Sequence, residues 1–236
     1  MATSDQVRAD QALLATLAER VRPVAGAGER LLPVVDDLVG LVPQGGLRRG
    51  SIIDVDAPAV LFRLLAAPTS EGFWAAVVGR PELGWAAAAE LGVALDHVAV
   101  VAVPPRETAG TVLAALVDAV DVVVAGPVVV SALRAADARR ITARARERGA
   151  VLFVDGRWPE AVDMRWRVAG VKWSGLGEGW GHLQRWEVEV LVDGRGAAAR
   201  PRRGWVALAV NPIPSPGLPD GLPGDGPVPL LEMRAG

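Results

Sequence analysis

The chain has 236 residues, 51% of them hydrophobic, a net charge of -2 and no cysteine. These values exclude a disulfide framework, a cysteine-bound zinc and a thiol nucleophile, and they argue against a chain built as a whole to coat nucleic acid. No uninterrupted apolar run of about eighteen residues marks a membrane span, and Asp5, Arg8, Asp10, Glu19 and Arg20 break up any export signal, so a cytoplasmic protein without membrane contact is expected.

In chain order, residues 5 to 22 carry Val7, Leu13, Leu14, Leu17, Ala18 and Val21 at helical spacing, with Ser4 available as a cap. Pro23 to Gly28 form a linker, so residues 1–30 read as a helix that docks either on its own core or on a partner, through Leu13, Leu14 and Leu17. A core over residues 31–210 follows. Its first strand leaves the turn Gly45-Gly46-Leu47-Arg48-Arg49-Gly50 and runs through Ser51–Val55.

In a P-loop ATPase such a strand runs directly into G-x-x-x-x-G-K-[ST]. Here it runs into Asp56, Ala57 and Pro58. Residues 55 to 72 contain no Lys, and their only Gly is Gly72. A triphosphate needs successive backbone N–H groups, the positive end of the following helix and a reaching Lys. Pro58 has no N–H, and Val60, Leu61 and Phe62 bring bulk where the backbone must approach the phosphates. The stretch reads as a nucleotide fold without its nucleotide site, the plainer alternative being an ordinary strand-to-helix connection.

Beyond it, Ala75–Val78, His97–Val101, Val120–Ala125 and Ala150–Val154 read as buried parallel strands, alternating with helices at Leu61–Ala67, Gly84–Leu91, Thr108–Ala119 and Ala135–Arg148. After Asp155 the rhythm changes to strands at Arg165–Trp173, Leu183–Val192 and Gly204–Val210, with Asp193-Gly194 as a hairpin signal. Residues 211–236 are too rich in Pro and Gly for helix or sheet and read as a disordered tail, with Val228 to Met233 as a small apolar cluster near its end.

Together these segments resemble the RecA core, and more closely the degenerate RecA-like ImuA family in its short actinobacterial form. The Gly45–Gly50 turn resembles the one before the first core strand. Glu90-Leu91-Gly92-Val93-Ala94-Leu95-Asp96-His97 is similar to RecA's K-L-G-V-D-I-D-N, and Val120–Val124 resembles the strand carrying the Walker B motif. The helix ending Arg146-Glu147-Arg148-Gly149 and the stretch Arg185–Leu208 are also similar. The resemblance implies a RecA-like doubly wound α/β fold, its mostly parallel sheet ending in antiparallel hairpins and lacking a functional P-loop. Gly126 stands at the Walker B Asp position, Glu82 near the catalytic Glu only across a gap, and the connections Pro127–Ala132 and Asp155–Met164 are short where RecA has DNA-binding loops.

No catalytic residue, cofactor or metal ligand is expected; His97 and His182 lack ligand spacing. What the resemblance implies is a non-enzymatic accessory role in damage-induced mutagenesis and translesion synthesis. The chain would act as a scaffold for an ImuB-type Y-family polymerase relative and, indirectly, an error-prone C-family polymerase, with self-association open. A single-stranded-DNA-binding module and a divergent ATPase are the competing readings. Candidate contacts are Arg140, Arg144 and Arg148 at four-residue spacing on one helix, Arg195, Arg200, Arg202 and Arg203 on the hairpin offset only by Asp193, and Trp173 and Trp180 flanking a Gly-rich turn. Trp166 alternates in phase with Met164 and Val168 and is expected in core or interface packing.

Overall fold

The computed structural model describes residues 31–176, 181–208 and 231–234. Strand β1 (Leu31–Leu32) pairs antiparallel with β2 (Leu47–Arg48) around the short helix α1 (Asp36–Val39). The α/β body then runs β3 (Ile52–Val55), α2 (Pro58–Ser70), β4 (Ala75–Val78), α3 (Trp85–Glu90), β5 (Val98–Val101), α4 (Ala109–Ala119), β6 (Val122–Ala125), α5 (Pro127–Ala132), α6 (Ala135–Arg148) and β7 (Val151–Val154). Three longer strands follow: β8 (Met164–Leu176), β9 (Gly181–Gly194) and β10 (Arg202–Leu208), with β11 (Leu231–Arg234) after them. The main sheet has the order β10-β9-β8-β3-β7-β6-β4-β5, with β11 also on β8. Pairings from β5 to β8 are parallel and those of β8, β9, β10 and β11 are antiparallel.

Period-two alternation in the apolar strands divides them between two cores. Ile53, Val55, Val77, Val124, Phe153 and Trp166 face α2 and α3, together with Leu32, Leu38 and Leu47. Ile52, Ala76, Val78, Val123, Leu152 and Val154 face α4, α5 and α6 through Leu113, Leu116, Val129 and Ile141. Helices on both faces are why these strands are apolar throughout. Trp166, 1% exposed, lies in the first core as its alternation predicts.

Several boundaries differ from the sequence reading for physical reasons. Helix α2 starts at Pro58, because proline fits the first helical position, and passes through Pro68 to Ser70. The buried Thr69 hydroxyl steadies that last turn by donating to Leu65 O at 2.8 Å and accepting from Ala94 N at 3.0 Å. Asp193-Gly194 is not the turn: both residues remain in β9, paired with Arg165 and Met164. The glycine is needed for close approach, since a Cβ there would lie 2.9 Å from Met164 Cα. The chain reverses instead through a 3-10 turn at Gly196–Ala198. Pro127–Ala132, read as a bare connection, is α5.

The tail also differs in part. Leu231 to Arg234 pair with Trp173 to Gly170 of β8, so the expectation of no sheet in the tail is corrected for those residues. The predicted amino-terminal helix with Leu13, Leu14 and Leu17, and Trp180, lie outside the described residues.

Candidate functional site

The edge of the sheet where β3, β4, β6 and β7 end is the place where an α/β fold of this kind holds a ligand. Val55 leads through Asp56 and Ala57 into α2, whose first residue, Pro58, supplies no N–H. The surrounding space is occupied by ion pairs. Arg167 of β8 bonds the Asp54 carboxylate and lies 3.4 Å from Asp56. Arg80, at the end of β4 with its side chain only 4% exposed, pairs with Asp155 at the end of β7 and with Glu82 at 2.7 Å. Burial holds the Asp155 carboxyl above the usual carboxylate range; Arg80 pulls it down, while Asp56, Asp54 and Glu82 push it further up.

At Gly126, after β6, a Cβ would lie 2.7 Å from the carbonyl carbon of Gly79 and 2.8 Å from Arg80 Cδ. An aspartate cannot be placed there without moving the end of β4. Carboxylates face the space where phosphates would sit, no lysine reaches it, and its would-be metal ligand is sterically shut out, so the residues present do not fit a nucleoside triphosphate. Glu82 is 60% exposed at its side chain and engages Arg80. Among the described residues no group of His, Cys, Asp or Glu is placed to hold a metal ion.

The helical arginines do not stand as a free stripe. Arg144 and Arg148 both bond Asp118 of α4, and Arg140 bonds Asp137 at 2.7 Å. The Arg144 hydrogen bond is the largest cause that holds the Asp118 carboxyl below its usual range. Helical spacing along α6 cannot reveal Asp118, because it lies on another helix.

The hairpin arginines are likewise divided. Arg195 donates to Asp163 at 3.0 Å and Arg203 lies 3.7 Å from Glu189, so Asp193 is not their only counter-charge; it faces Arg165 at 3.8 Å. Alternation in β10 puts Arg202 on the face of Val206 and Leu208, and Arg203 on the face of Trp205. Arg200 is exposed in the loop before it. Trp173 is half-buried and stacks on Trp186, ring centroids 4.9 Å apart and 3° from parallel, so it is not the free anchor expected.

The structure does join one part of each basic segment. At the opposite, amino-terminal edge of the sheet, the last turn of α6 with Arg146 and Arg148, the turn bearing Arg48 and Arg49, and the 195–198 turn enclose a groove of about 1100 Å³. Asp163 forms its far wall, accepting from Ile52 N at 2.9 Å and from Arg195. Arg49 ties the near wall together by donating to Asp121 at 3.0 Å and to Gly149 O at 3.3 Å. Asp121 and Asp163 were not singled out in the sequence, although Asp121, a carboxylate opening the apolar run Val122–Ala125, demands a partner.

The MT3502 N-terminal domain family pattern matches residues 40–160, from the turn before β2 to the loop after β7. The uncharacterized protein Rv3395c of Mycobacterium tuberculosis (strain ATCC 25618 / H37Rv) is 38% identical over 122 residues, which is 50% of this chain and 59% of that relative's length.

Proposed function

This chain belongs to the MT3502 N-terminal domain family, and on that footing we propose that it is a non-catalytic, RecA-like accessory protein of damage-induced mutagenesis. In this reading it works in translesion synthesis as an ImuA-type scaffold for an ImuB-type Y-family polymerase relative and, through that protein, an error-prone C-family polymerase. A mycobacterial relative supports the actinobacterial setting. The sheet order supports the RecA-like core: numbered along the chain, the parallel strands β3 to β7 lie 3-2-4-5-1, continued by β8 parallel to β3 and then by antiparallel strands. That is neither the dinucleotide-binding order nor the flavodoxin order.

The observation that carries the proposal is the filled ligand edge. A fold whose nucleotide position is taken by Arg167 with Asp54 and by Arg80 with Asp155 is left with its surfaces as its means of action. Capture of the tagged full chain from DNA-damaged cells tests it. The expected result is co-capture of the Y-family polymerase relative, together with loss of damage-induced mutation on deletion of the gene. Unchanged mutation frequency without the chain would overturn the proposal.

A further inference from the structure

We infer that the groove at the amino-terminal edge of the sheet is a sequence-independent binding site for the phosphodiester backbone of DNA. Five arginines line it against two carboxylates, Glu147 and Asp163, a local excess of positive charge in a chain whose net charge is -2. Three of those arginines are engaged: Arg49 with Asp121, Arg148 with Asp118 and Arg195 with Asp163. Arg48 and Arg146 are exposed and have no ion-pair partner among the described residues.

The two free cations sit on segments fixed to one another. Gly50 has φ +79°, and a Cβ on it would lie 2.9 Å from Arg146 Cα, so the turn after Arg48 is in backbone contact with the last turn of α6. Arg49 adds the bond to Gly149 O across the same junction. Two exposed arginines on segments held together can reach neighbouring phosphates, which Arg can grip bidentately. Among the described residues no aromatic side chain lines the groove, so the contact is to backbone charge and not to stacked bases. This inference stands apart from the scaffold proposal, which survives if the groove binds nothing.

The test is fluorescence anisotropy of the full chain with a short labelled duplex and with the matching single strand, across a salt series. Log affinity is expected to fall linearly with log salt for at least one of the two DNA forms, which identifies the form bound. R48A/R146A should flatten that slope by roughly two units and weaken binding on the order of tenfold per arginine near ~0.1 M salt. Glu147→Gln, which removes an opposing charge at an exposed position, should strengthen binding, and Arg140→Ala, on a paired arginine outside the groove, should leave the slope unchanged. Absence of salt-dependent binding to either DNA, or a slope for the folded R48A/R146A protein equal to wild type with no gain in Glu147→Gln, would overturn the assignment.

Discussion

Gly126 and Gly79 meet so closely at the ends of β6 and β4 that a Cβ on the first would lie 2.7 Å from the carbonyl carbon of the second. Gly126 N also donates to Val78 O at 2.9 Å, which pins the two strand ends together. Any side chain at Gly126, the position that the RecA resemblance sets against a metal-positioning aspartate, would meet the backbone of a neighbouring strand. A glycine at this position is therefore required by the packing.

Gly126→Ala should cost about 2–3 kcal/mol, and Gly126→Asp at least as much, because the tight backbone neighbours must shift to admit any side chain. Urea unfolding measures this. Wild-type stability in Gly126→Asp would show that the ligand edge still has room for its carboxylate.

Arg80→Ala should destabilise the protein by about 2–4 kcal/mol near neutral pH, since it strands Asp155 among Asp54, Asp56 and Glu82. The sign with pH follows from the raised carboxyl. The stability associated with protonated Asp155 is complete below its ordinary value of 3.8 and is lost as pH rises through its higher folded value. Removing Arg80 moves that folded value further up, so the penalty should shrink on acidification. R80A/D155N should be nearly free of this pH dependence, which thermal unfolding at several pH values will read.

Asp118→Asn tests the opposite sign. Arg144 and Arg148 hold the folded Asp118 carboxyl below 3.8, so its contribution is present above that value and disappears as pH falls through the lower folded one. Because the pairs face solvent, the loss at neutral pH should be no more than about 1 kcal/mol and should fade in high salt. A difference that grows on acidification would contradict this account.

Trp166→Ala should cost about 3–5 kcal/mol as a cavity in the first core. Trp166→Phe should cost far less, about 1–2 kcal/mol, because the buried indole N–H it removes has no hydrogen-bond partner among the described residues. Comparable losses in the two variants would mean that Trp166 does more than fill space.

The parallel half of the fold was legible because its strands are short apolar runs and its helices amphipathic: β4 and α6 occur at the boundaries that the pattern predicts. What was not legible depended on contacts between distant segments. Asp193-Gly194 has the composition of a turn, yet packing against Met164 keeps it in the strand. The hairpin arginines look like one cluster along the chain, but strand alternation sends Arg202 and Arg203 to opposite faces. At the ligand edge, the missing glycines and lysine were visible, whereas the pairing of Arg80 with Asp155 joins residues 75 positions apart. A buried Asp54 inside an apolar strand was the one local sign that a cation had to come to it.

Calorimetric titration of the full chain with ATP and Mg²⁺ tests most directly the proposal that the ion pairs of Arg80 and Arg167 leave no nucleotide site. The expected trace shows only heats of dilution, for wild type and for Arg80→Ala alike. Saturable binding in the micromolar range, lost when bulk is added at Ala57, would contradict it.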